Sequence, residues 1–118
     1  MAYQSFEELD VWKRSCRVAV RVYELTKDTR DYGLRDQMTR AAVSIASNIA
    51  EGVERDSIAE TVHFIHIAKG SAAELRTQIY IAQRIGLIDS ATQTALTTEL
   101  KEISAMLHSL AKSLKPKT

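Results

Sequence analysis

Apolar side chains return along most of this chain at alternating steps of three and four, the spacing that stacks them on one side of an α-helix. The clearest run is Leu96, Leu100, Ile103, Leu107, Leu110 and Leu114. Another follows Leu34, Met38, Ala42, Ile45 and Ile49, and a third follows Leu9, Trp12, Cys16, Ala19 and Tyr23. Between them, Val62, Ile65, Ala72, Leu75, Ile79 and Ala82 form one seam of a long central stretch. Punctuation agrees with this periodicity. Ser5 with Glu8, and Ser57 with Glu60, have the spacing of capping boxes. Turn formers gather in "KDTRDYG", Gly52 suits the left-handed position after a helix, Gly86 does the same, and Asp89 reads as an N-cap. The pattern predicts helices over about 6–28, 33–51, 58–85 and 90–114, with residues 115–118 a disordered basic tail. Short connections between four amphipathic helices predict a single all-α domain over 1–114, an antiparallel up-down-up-down bundle. Spacing near 3.5 residues favours left-handed crossings.

Two helices carry more apolar surface than such a bundle needs. The third has a second stripe, Phe64, Ile67, Ser71, Glu74, Gln78, Ile81 and Ile85, rotated roughly 100° from its seam. The first adds Val11, Val18, Val22 and Leu25 beside its own seam. One stripe per helix suffices in an isolated bundle, so the surplus implies either a wide core face or burial against further copies of the chain. The second explanation is favoured here, because large exposed apolar patches mark interfaces and identical subunits close into rings or dimers.

The second helix supplies a polar stripe beside its apolar one: Gln37, Arg40, Ser44, Asn48 and Glu51. On its other flank Ala42, Ala46 and Ala50 recur every fourth residue, and the third helix has the small cluster Ala68, Gly70, Ser71, Ala72 and Ala73. These small residues are expected to let the two helices approach closely, offsetting the roughly 1 kcal/mol that Gly70 costs in mid-helix. The polar stripe is expected to pair with Ser71, Glu74 or Gln78 at a semi-buried junction.

Charge and reactive residues narrow the functional classes. The formal net charge is +1, so any affinity for nucleic acid must come from a local patch. Lys13, Arg14, Arg17 and Arg21 supply a candidate, a basic stripe that repetition around a ring would turn into a belt able to meet phosphates. The alternative is a solvated face neutralised by Glu24 and by acids on neighbouring helices. Glu60, His63 and His66 resemble half of a di-iron motif, but the fourth helix offers only His108, and no metal, cofactor or catalytic residue is expected. Cys16 stands alone and reads as a small core hydrophobe. With no disulfide possible within the chain, no secretory leader in "MAYQSFEELDVWKRS" and no run long enough to span a bilayer, a cytoplasmic protein without a small-molecule substrate is expected.

The blocks "LRDQMTRAAVSIASNIAEG" and "IAKGSAAELRTQIYIAQRIGLI", preceded by "FEELDVWKRS", resemble the bacterial four-helix-bundle family of proteins encoded within intervening sequences of large-subunit ribosomal RNA genes. That family is similar in turn to the accessory variability determinant of diversity-generating retroelements, a homopentameric ring that engages a reverse transcriptase and nucleic acid. The resemblance implies an antiparallel four-helix bundle assembled as a homopentamer and brings no established enzymatic activity. Together with the basic stripe it leads to the expectation of a non-enzymatic scaffold for nucleic acid or a ribonucleoprotein enzyme. A protein–protein adaptor ring that touches no nucleic acid is the alternative.

Overall fold

The computed structural model describes residues 5–114, which fold into four α-helices: α1 (Asp10–Thr26), α2 (Tyr32–Val53), α3 (Ile58–Arg84) and α4 (Ser90–Leu114). They form a rod 49 Å long and 20 Å across in each other direction. Each packs against its sequence neighbours and α1 also meets α4, although more lightly than it meets α2. The basic tail at 115–118 lies outside the described residues.

The helix ends follow local chemistry. Ser5 and Glu8 do form a capping box, but what they cap is a single 3-10 turn, Phe6–Glu8. Leu9 then leaves the helical region (φ −77, ψ 125), and its carbonyl starts α1 by accepting from Trp12 and Lys13. The break lets Leu9 bury its side chain, which a continuous helix from residue 6 would not allow. Asp31, Ser57 and Asp89 accept backbone N–H bonds from Leu34, Glu60 and Thr92, capping α2, α3 and α4. Beyond α3, Gly86 takes φ +83 while Leu87 donates to the Ala82 carbonyl and Gly86 to that of Gln83, the paired bonds of a Schellman ending.

Gly52 is a different case. The expected left-handed ending is absent, because α2 continues through Val53 and Glu54 remains right-handed. Space, not conformation, selects glycine: a Cβ at residue 52 would stand 2.9 Å from the Phe64 Cβ and 3.1 Å from the Thr61 carbonyl oxygen. Thr61 closes the contact by donating its hydroxyl to the Gly52 carbonyl at 2.8 Å.

The core is drawn from all four helices. Met38, Ile45 and Ile49 meet Ile65, Leu75 and Ile79, with Leu100, Ile103 and Leu107 closing the far side, all nearly free of solvent. On α1 the inward face is Val11, Ser15, Val18, Val22 and Thr26, the reverse of the expected assignment. Trp12, Cys16 and Ala19 are half-buried and Tyr23 is exposed. Two hydroxyls explain the reversal. Ser15 donates to the Val11 carbonyl at 2.7 Å and Thr26 to that of Val22 at 2.8 Å. Bonded to their own helix, they are buried at little cost and keep the valine stripe inside.

Candidate interaction surfaces

The displaced stripe of α1 makes the first surface. Trp12, Cys16, Val20 and Tyr23 lie along one wall of a groove between α1 and α2, facing Val43, Ala46 and Ala50 on the other wall. Phe6 closes one end, its ring edge-on to Trp12 at 5.2 Å between centroids. Val20 is 59% exposed and Tyr23 55%, so the protomer leaves the groove open. Ala46 and Ala50 of the α2 ladder thus line a groove with α1, while Ala42 lies in the core cluster that also holds Ala68 and Ala72 of α3.

The second surface is the outer side of α3. Of its small cluster, Ala68, Ser71 and Ala72 are buried while Gly70 and Ala73 are exposed. A Cβ added at Gly70 would meet nothing within 4 Å. The expectation that Gly70 serves close approach to α2 is therefore corrected: it points away from that helix. Ile67, Ile81 and Ile85 flank it in solvent, the last two 46% and 57% exposed.

Between these surfaces α2 and α3 share a polar seam. The Ser44 and Ser71 hydroxyls bond at 2.9 Å, and Asn48 Nδ2 donates to the Ser44 carbonyl at 2.8 Å and its hydroxyl at 2.9 Å. Farther along, Gln78 is 6% exposed and donates to Glu74 at 3.5 Å, while its Oε1 is buried with no hydrogen-bond donor. Gln37, Arg40 and Glu74 reach solvent, and Arg40 makes no ion pair among the described residues. Glu51 binds Arg55 at 2.8 Å, and that guanidinium covers the half-buried Phe64 ring at 4.6 Å. The structure thus brings Ser44, Asn48 and Ser71 together and leaves Gln37, Arg40 and Ile67 without such partners.

The basic stripe divides. Arg14 turns to α4, donating from Nε to Glu99 at 2.8 Å and from Nη2 to Glu102 at 2.7 Å. These bonds raise the guanidinium pKa above its usual range, and the Arg14 hydrogen bond lowers that of Glu99 against the opposing effect of partial burial. Arg14 is thereby occupied in clamping α1 to α4. Lys13, Arg17 and Arg21 stay exposed with no hydrogen bond or salt bridge among the described residues. Arg17 and Arg21 line a shallow depression with Ala91, Thr92 and Glu99. The acids that claim Arg14 have a sequence signal, Glu99 and Glu102 three residues apart beside the leucine stripe. Val20 and Val43, central to the groove, fall on neither seam and have none.

Partial burial pushes the Cys16 thiol pKa up, with Arg17 opposing weakly, so the group is a poor nucleophile at neutral pH. His63 packs edge-on to Phe64, His66 is exposed, and His108 Nδ1 accepts from the Lys69 ammonium at 3.4 Å. Among the described residues no three His, Cys, Asp or Glu side chains gather to hold a metal ion. No helix among them is long and apolar enough to cross a membrane.

Comparison with known proteins places this geometry. The family described as "23S rRNA-intervening sequence protein" matches residues 7–109. A crystal structure from Bacteroides thetaiotaomicron VPI-5482, a protein of unknown function from the S23 ribosomal protein family, superposes with a TM-score of 0.81 at 24% identity, covering 86% of this chain and 98% of that one. At that identity the likeness is one of fold. No curated protein matches the chain.

Proposed function

The chain belongs to the 23S rRNA-intervening sequence protein family, and from its uncovered faces we propose that it is a non-enzymatic subunit of a ring-shaped homo-oligomer, a pentamer by the resemblance described above, that acts in the cytoplasm as a binding scaffold for nucleic acid or a ribonucleoprotein enzyme. One observation carries the reading: a single protomer exposes two different apolar faces, the α1–α2 groove and the outer side of α3. Two unlike faces on one chain associate head to tail, and head-to-tail contacts close into rings. Ring closure then repeats Lys13, Arg17 and Arg21 in every subunit, so a contact too weak alone gains by avidity. The raised Cys16 pKa favours a binding role over thiol chemistry.

The test is a fluorescence-anisotropy titration of single- and double-stranded RNA and DNA against protein whose assembly state is established by light scattering. The expected outcome is binding that weakens as salt rises and is lost in the Arg17→Glu, Arg21→Glu double variant. An assembled protein that binds none of the four at low salt overturns the nucleic-acid part. The engagement of Arg14 by Glu99 and Glu102 supports a second reading, an adaptor ring for a partner polypeptide. Co-purification from the native host with and without nuclease separates the two, since only a protein-mediated partner survives nuclease treatment.

A further inference from the structure

We propose that the α1–α2 groove of each protomer receives the outer side of α3 from the next copy, with Gly70 seated beside Ala19 and Glu74 meeting Arg40. The inference rests on the oligomeric reading and adds which surfaces join and in what register.

Three features of α3 have no explanation within one protomer. Gly70 sits exposed in the middle of a 27-residue helix with open space around it, where alanine would be the better helix former. Ile67, Ile81 and Ile85 stand in solvent along the same side. Gln78 Oε1 is buried without a donor at the edge of that side, its amide already committed to exposed Glu74. A helix side that carries three exposed isoleucines and one carboxylate, flanked by an orphaned acceptor and lacking a Cβ at its centre, suits a closely approaching surface. The α1–α2 groove is apolar and open, and its alanine wall admits a helix.

Register follows from the fold. Ser44 stands level with Ser71, and Gly52 with Thr61 and Phe64. Along the groove Trp12 pairs in height with Ala50, and Tyr23 with Arg40 and Val43. Gly70 is therefore at the height of Ala19, which lines the groove, and Glu74, one turn on, at that of Tyr23 and Arg40. Rotation about a ring axis parallel to the bundle preserves height, so a neighbour's α3 arrives at the groove already in this register. Ile67 and Gly70 then face the Trp12–Val20 wall. Glu74 reaches Arg40, whose guanidinium has no ion pair within its own chain among the described residues. Ile81 and Ile85 fall near exposed Tyr32 beyond the groove's end. Around a roughly square bundle the two faces point about a right angle apart, and ring closure needs about 90° for four copies or about 108° for five.

A cysteine cross-link tests the contact directly. Gly70→Cys and Ala19→Cys, joined in a chain that carries Cys16→Ser, place one thiol where nothing obstructs it and the other on the facing groove wall, and oxidation should link them between neighbouring copies. Non-reducing electrophoresis is expected to give a ladder that stops at the closed ring, absent in the unmodified protein and in chains carrying either new cysteine alone. A charge swap keeps the proposal testable if a side chain at residue 70 itself loosens the ring. Glu74→Lys and Arg40→Glu should each shift the light-scattering mass from ring to monomer at a concentration where the parent is assembled, and the double variant should restore the ring. An assembled parent whose paired-cysteine form at residues 19 and 70 gives no ladder, or whose mass ignores both charge variants, overturns this docking and leaves the oligomer standing. A parent that is monomeric at micromolar concentration overturns both.

Discussion

Replacing Gly52 with alanine sets two terms of known sign against each other. On helix propensity alone the change should help by about 1 kcal/mol, because residue 52 lies within α2 at ordinary right-handed angles. Opposing it is the contact with α3. The new methyl would stand 2.9 Å from the Phe64 Cβ and 3.1 Å from the Thr61 carbonyl, and both atoms are anchored to backbone that cannot rotate aside. Relieving the overlap requires the start of α3 to move by several tenths of an ångström. That shift stretches the 2.8 Å bond from Thr61 to the Gly52 carbonyl, a buried pairing of about 1 kcal/mol. Overpacking of this kind costs about 1–3 kcal/mol; with the weakened bond added and the propensity gain subtracted, the net expectation is a loss of about 1–2 kcal/mol. Urea unfolding followed by circular dichroism at one fixed protein concentration measures it, fixed because any self-association would couple stability to concentration. A variant as stable as the parent would show that α2 and α3 separate without penalty at the turn, and the steric account of Gly52 would fail.

Other positions give further expectations. Arg14→Ala should destabilise by about 1 kcal/mol, the range of a well-formed surface ion network, measured by the same unfolding curve. Because Glu99 has its pKa lowered in the fold, its contribution is present above the ordinary glutamate value near 4.5 and disappears as pH falls through the folded pKa. The parent should therefore lose stability more steeply than Arg14→Ala below that value. Cys16, with its pKa raised, should react with a thiol reagent more slowly than a free cysteine peptide at pH 8 and reach the peptide's rate in urea; equal rates in the folded protein would contradict its burial. Gly86→Ala should cost about 1 kcal/mol by thermal unfolding, since φ +83 strains any residue with a Cβ.

What could be read from the sequence depended on whether a signal was local. Capping by Ser57 and Asp89 and the end at Gly86 are short-range chemistry, and the leucines of α4 leave only one face to bury. On α1 the periodicity held but the choice between two stripes did not. Both had helical spacing, and the true one contained Ser15 and Thr26, which look unsuited to a core until their bonds to Val11 and Val22 are seen. That single inversion decides the candidate surface, because it moves Trp12 and Tyr23 outward and so creates the groove with α2. The roles of Gly52 and Gly70 turn on what lies opposite them in space, which no helical pattern records.

The electrostatics tie assembly to binding. A nearly neutral chain has no long-range attraction to spend on a polyanion, and α4 withdraws the one arginine of the stripe that is held in a fixed geometry. Arg14 steadies a thinly packed α1–α4 contact, so reassigning it to phosphate would loosen the bundle that presents its neighbours. What remains on each chain is Lys13, Arg17 and Arg21, exposed side chains whose few contacts to phosphate would give weak, salt-sensitive attachment. Glu99 and Asp89 sit close enough to Arg17 and Arg21 to reduce even that. A monomer with this face should bind nucleic acid negligibly at physiological salt, and only simultaneous engagement of several subunits could raise the affinity usefully. Binding should then rise with ring formation rather than with protein concentration alone. Dilution below the assembly threshold, or the Glu74→Lys variant that leaves the basic stripe untouched, should abolish it. Retained binding by such a monomer would sever the scaffold reading from the ring.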